Sequence, residues 1–260
     1  MHQFKARSSL PLSFKKLSLV ICLVLAFSGC ASNSSKREGF SFSAESSPQG
    51  IAFHFNNIPP DAVHLSVSLE DKTAGLFHDV LFWDNEAFYF LSSHSAHNDL
   101  DDLKQRPFFV FPFTKEGHEY EAVVLVYTDK NLNDWTSFTT RVIAGGGIYL
   151  TNSPSLNFTD ENQYLTLSEK PVFSEEVMFS PHNFFSYSVM VMLDEANSRG
   201  GGGSTNELSF PAHEVYDGSR DFFGFTGTFP VIGSAQANII HENMEWIIGI
   251  ARTPEVLISF

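Results

Sequence analysis

Val63-His64-Leu65-Ser66-Val67-Ser68-Leu69 places four aliphatic side chains on one face and three polar ones on the other. Successive side chains of a strand point to opposite faces, so this alternation predicts a strand with one face in a core. Upstream, Ile51, Phe53 and Phe55 alternate with Ala52 and His54, and Asn56-Asn57-Ile58-Pro59-Pro60-Asp61 supplies the intervening turn. Downstream, residues 76–83, 87–91, 107–113, 120–128 and 137–143 are also β-rich, with Asp84-Asn85-Glu86 as a hairpin turn. Residues 98–105 form the best short helical stretch. About seven strands in roughly 100 residues predict a β-sandwich.

Phe111-Pro112-Phe113-Thr114-Lys115-Glu116-Gly117-His118-Glu119-Tyr120-Glu121-Ala122-Val123-Val124 resembles the approach to the penultimate strand of fibronectin type III and immunoglobulin-like domains. In those families a Tyr at the start of that strand ties the preceding corner through its hydroxyl. The resemblance gives Tyr120 this structural role and implies a sandwich over residues 49–145. No Cys…Trp…Cys framework exists, which excludes the antibody type.

Gly145-Gly146-Gly147 marks a natural hinge. Beyond it residues 164–167, 172–179, 185–193, 222–229, 236–241, 246–251 and 256–260 are again strand-like, and 198–204 reads as a floppy Gly-rich loop. Residues 187–195 echo 65–71, and 246–252 faintly echo 120–127. The fold class expected is all-β, with one or two immunoglobulin-like antiparallel β-sandwiches. Residues 146–260 form a second β-rich domain, readable as a degenerate copy of the first.

Composition sets the partners. The 260 residues carry 16 Lys plus Arg against 30 Asp plus Glu, a formal charge of -14, which argues against nucleic acid as a partner. Two Cys exclude a disulfide scaffold. Residues 1–29 combine basic Lys5, Arg7, Lys15 and Lys16 with the apolar run 17–27, the layout of an export signal. Phe27-Ser28-Gly29-Cys30 resembles the lipobox of bacterial lipoprotein precursors, although Phe27 stands where Leu is usual. The resemblance implies cleavage between Gly29 and Cys30, acylation of Cys30 and anchoring to the bilayer. Ala31 after the Cys, by resemblance to enteric sorting, favours the outer membrane, at its periplasmic or surface face. Removing the four bases of the signal leaves 12 against 30 acids, a formal -18. Residues 30–48 then read as the lipidated Cys and a flexible tether.

Catalytic motifs are sparse, and no cofactor is implied. His94, His97 and Asp99 could ligate a metal if their segment turned helically, whereas the plainer reading is a polar loop with Asp at a helix start. Trp135, Phe184 and Phe185 sit in turn-like places where exposed rings could contact a ligand. The function expected is a membrane-anchored envelope lipoprotein, binding an envelope protein, a host protein or a glycan through sandwich loops. The alternatives are a carbohydrate-active hydrolase with paired carboxylates and a structural or assembly lipoprotein.

Overall fold

A computed structural model describes residues 39–84, 98–130, 132–159, 161–162, 164–181, 183–193, 198–212 and 227–259. The signal, the lipobox with Gly29 and Cys30, and His94 and His97 lie outside the described residues.

The first half runs β1 (Ser41–Ser47), β2 (Gly50–Asn56), β3 (His64–Asp71), β4 (Leu76–Trp83), β5 (Asn98–Asp99), α1 (Leu100–Gln105), β6 (Phe108–Phe111), β7 (Glu119–Tyr127) and β8 (Trp135–Ile143). The second half runs β9 (Leu156–Thr159), β10 (Tyr164–Leu167), β11 (Met178–Phe179), β12 (Phe185–Met192), β13 (Ser198–Thr205), β14 (Ser209–Pro211), β15 (Thr228–His241), β16 (Met244–Arg252) and β17 (Val256–Ser259). In the first half, one sheet has the order β1-β2-β6, and β4, β3, β7 and β8 lie side by side in the other. The second half repeats this order as β14-β10-β9 and β13-β12-β15-β16. Leaving aside the two-residue β5 and β11, the first, second and fifth strands of each half lie on one sheet and the rest on the other, the order of a fibronectin type III sandwich. The chain is all-β in class and lays down that order twice.

Period-2 alternation explains the core. Leu65, Val67 and Leu69 of β3 meet Ile51, Phe53 and Phe55 of β2 in one buried cluster. The opposite face of this sheet is apolar as well. Leu81, Trp83, Leu125 and Tyr127 form a second buried cluster, so His64 and Ser66 are also buried. The strand predicted to be half-buried is therefore covered on both faces. The predicted helix begins at Leu100, with Asp99 as its N-cap accepting from the Asp101 amide.

Three expectations need correction. Residues 41–47 were expected in the tether but pair along their whole length with β2, because Phe42 and Ala44 pack against the core while the intervening Ser residues face out. The Gly-rich stretch expected as a loop is strand β13, in register with β12 from Thr205 back to Ser198. Its glycines permit close contact, since a Cβ on Gly203 would meet the Phe210 ring at 2.5 Å. Nor do Gly145 to Gly147 act as a loose hinge. A Cβ on Gly146 would lie 2.0 Å from the Pro48 carbonyl oxygen, so glycine is required there by close backbone packing. Of the two sequence echoes, residues 187–195 and 65–71 start on β12 and β3, which hold the same place in the order. Residues 246–252 and 120–127 fall on β16 and β7, which do not.

The halves are joined through their larger sheets. Ile247 of β16 pairs antiparallel with Asp79 of β4, making one continuous 11-stranded sheet. Around this seam the Asn98 amide nitrogen donates to the carbonyls of Leu81 and Glu245, while its oxygen accepts from the Glu245 amide. Trp246, 2% exposed, packs against Phe111 and Phe113 with ring centroids 5.1 and 5.9 Å away. One core therefore runs through both halves.

Candidate functional site

A cleft of about 370 Å³ opens where the halves meet. The first half contributes the β3–β4 turn and the loop between β6 and β7. The second contributes residues 148–154, Phe173 and the end of β16. Junctions of this kind are common places for ligand pockets, and the volume lies near the small end of the usual ~300–1,000 Å³.

Asp71 closes the first-half side. Its Oδ1 accepts from the amides of Thr73 and Ala74 at 2.8 and 2.9 Å, shaping the turn into β4. Its Oδ2 accepts from His118 Nδ1 at 2.8 Å. Burial pushes the Asp71 carboxyl up, but His118 and the two amides outweigh it and hold it below the usual carboxylate range. Tyr120 pairs across the strands with Asp71, and its hydroxyl accepts from the Lys115 amide at 3.0 Å, tying the corner five residues upstream. Burial, and then the nearby Asp71 charge, raise the Tyr120 pKa, so the hydroxyl stays protonated.

The floor lies at the seam. His78 Nδ1 accepts from the Gly249 amide at 3.2 Å, and burial lowers the imidazole to about 4. Glycine is required at this position, since a Cβ on Gly249 would sit 2.5 Å from the Phe77 carbonyl oxygen. Next to it, Asp79 accepts from Ser68 and from Gln236 Nε2 at 3.3 Å, and burial raises its carboxyl to about 6. The walls are apolar, with buried Phe113, Ile148, Phe173, Ile248 and Ile250.

Lys115 and Arg252, both exposed, also line the cleft. Neither makes an ion pair with a carboxylate among the described residues. Instead, Lys115 Nζ stands 5.7 Å from the centroid of the Tyr149 ring, and the Arg252 guanidinium carbon 5.9 Å from that of Phe77. The one carboxylate of the cleft, Asp71, is committed to His118 and the turn.

The residues singled out from sequence do not gather here. Asp99 caps α1, and no group of three or more potential metal ligands occurs among the described residues. Trp135 is half-buried on β8. It stands in a cross-strand row with Tyr127, His64 and Trp83, in which His64 stacks on Trp83 at 3.7 Å and on Tyr127 at 5.2 Å. Phe184 is half-buried against Phe179, with ring centroids 5.7 Å apart. Phe185 is 1% exposed and belongs to the core, because it is in phase with Tyr187, Val189 and Val191 on the inner face of β12, which removes it as an exposed contact ring. Asp71, His78, Lys115 and Arg252 escaped the sequence reading. The quoted corner motif contained Lys115 and His118, but their partners are remote in sequence.

Among the described residues no hydroxyl is hydrogen-bonded to His118, as a serine-type triad requires, and no second carboxylate faces Asp71 across the cleft. No family model matches the chain, and no curated protein matches it. A similar solved structure is the chicken interferon gamma receptor alpha chain, at 12% identity over 85% of this chain and 97% of that one, with a TM-score of 0.22. So loose a superposition adds nothing to the repeated strand order, on which the fold assignment rests.

Proposed function

We propose that the chain is a non-catalytic binding lipoprotein of the bacterial envelope. In this reading residues 1–29 are removed, Cys30 carries the acyl anchor, and a short tether ends just before β1. Residues up to Ile143 and from Gly146 onward are two sandwich units of one binding body. The anchor reading rests on the lipobox-like Phe27-Ser28-Gly29-Cys30. Two or three acyl chains bury enough CH₂ groups, at about 0.8 kcal/mol each, for stable attachment. The acidic body would be repelled by anionic headgroups, leaving the lipid as the attachment. The partner is an envelope protein, a host protein or a glycan.

The observation that carries the binding role is the cleft between the halves. Its apolar walls come from both units, its single carboxylate is already engaged, and its two cations are positioned without an acidic partner. The test is fractionation of cells expressing the parent chain and Cys30→Ala, followed by capture of cross-linked envelope components. The parent should partition with membranes, the variant should be soluble, and both should retain the same captured component. A variant that stays with membranes overturns the anchor. A folded parent that captures nothing in its native envelope overturns the binding role in favour of a structural one.

A further inference from the structure

We propose that the cleft binds a small organic carboxylate, its acidic group held by Lys115 and Arg252 and its apolar body lying over Ile148, Phe173 and Ile250. The proposal rests on the reading of the cleft as a binding site and adds a small acidic ligand to the envelope partner. Charge complementarity is the first support. Among the described residues Lys72, Lys104 and Arg141 pair with carboxylates. Lys115 and Arg252 instead stand over the rings of Tyr149 and Phe77, and neither is ion-paired with a carboxylate among the described residues. Asp71 is ion-paired with neither cation, and its oxygens accept from His118, Thr73 and Ala74.

The apolar walls are the second support. Thr114, Asn152 and Ser153 also line the cleft, but Phe113, Ile148, Phe173, Ile248 and Ile250 give it an apolar side against which a hydrocarbon or aryl body can pack. At about 370 Å³ the space suits an amino-acid-sized acid. Two sources share this chemistry: a free aryl or alkyl acid, and the terminal carboxylate of a peptide with an apolar last residue.

The test is calorimetric titration of the full chain in detergent with N-acetyl-phenylalanine, 4-phenylbutanoate and a decapeptide ending in Phe. Each is compared with its neutral amide, and acetate and inorganic phosphate serve as headgroup controls. Acids should bind at least about 10-fold more tightly than their amides, as expected for loss of charge-assisted hydrogen bonds. Lys115→Gln and Arg252→Gln should each weaken acid binding by about 10-fold and leave the amides unaffected. Both side chains are exposed, so the variants should keep the parent melting temperature, and that is measured alongside. Tighter binding of the decapeptide than of the free acids identifies a chain terminus as the ligand, and the reverse identifies a metabolite-sized acid. Equal affinity for acid and amide, equal affinity for acetate or phosphate, or no binding of any acid overturns the proposal. If envelope components are still captured when no acid binds, the carboxylate assignment falls while the binding role stands.

Discussion

The two halves follow one strand order with unequal means. In the first, β3, β4, β7 and β8 are eight or nine residues long and pair without a break. In the second, the smaller sheet is built from strands of three or four residues, and the partners of long β15 are split into β11 with β12 and β16 with β17. The first half locks its corner with Tyr120. The second has no Tyr at that place and uses Tyr187 on β12, whose hydroxyl donates to the Glu207 carbonyl at 3.1 Å while its ring stacks on Phe210. A complete sandwich thus supports a fragmentary one, and the shared core around Trp246 is the means.

The sharpest way to break this comparison is to remove Trp246. Replacing a large buried aromatic by Ala costs about 3–5 kcal/mol. Because the ring touches Phe109, Phe111 and Phe113 of the first half, Trp246→Ala should lower the urea midpoint of both halves together in a single transition. If near-ultraviolet and far-ultraviolet signals separate into two transitions with one unchanged, the halves are independent.

Acid is the next lever. Burial holds His64 at about 3 and His78 at about 4 in the folded state, so unfolding releases two imidazoles that take up protons near their ordinary 6.5. Their contribution is complete above pH 6.5 and is lost as pH falls. Asp79 acts in the opposite sense, because its folded carboxyl, raised to about 6, takes up a proton before the unfolded one does. Between pH 6 and 4 the unfolded chain therefore binds a net excess of one proton over the folded chain from these groups. Stability should fall by about 1.4 kcal/mol per pH unit. Asp79→Asn removes the opposing group and should steepen the fall to about 2.7 kcal/mol per unit, read from urea midpoints at each pH. An unchanged slope in the variant would show that Asp79 is not protonated in the folded protein above pH 4.

The two tyrosines give a smaller, direct contrast. Tyr120→Phe leaves the Lys115 amide without its acceptor and should cost about 1–2 kcal/mol. Tyr187→Phe frees only a carbonyl in an exposed loop and should cost about 0.5–1 kcal/mol. Equal costs would show that the corner of the first half is no more specialised than its substitute in the second.

Much of the fold could be read from the chain because the signals were local. Alternation along 63–69 and the corner before Tyr120 depend on neighbours within a few residues, and both elements stand where that spacing puts them. Composition misled where tertiary packing overrode it. Ser-rich 41–47 and Gly-rich 198–205 resemble linkers, yet Phe42 and Ala44 bury one face of β1, and glycine is what lets β13 lie against Phe210. The cleft was illegible because its contacts span the sequence. His118 reaches Asp71 47 residues away, and His78 reaches Gly249 171 residues away. No periodicity encodes such pairings, and the ring-held cations become conspicuous only once their aromatic partners are in place.

The smallest expected effect concerns turns. The β3–β4 turn of the first half places Gly75 at φ 68, where glycine is unstrained, whereas the two-residue turn between β15 and β16 places Glu242 at φ 52 and Asn243 at φ 62. A side chain such as Glu in the left-handed region costs about 1 kcal/mol, which Asn largely avoids because its short amide tolerates that conformation. Glu242→Asn should therefore stabilise the chain by about 0.5 kcal/mol, measured as a raised urea midpoint at constant slope. Because β16 carries both Trp246 and the Ile247 pairing to β4, the gain should appear in the common transition of the two halves. A gain confined to signals from the second half would mean that its hairpin folds on its own account and that the seam adds less than the ring contacts imply.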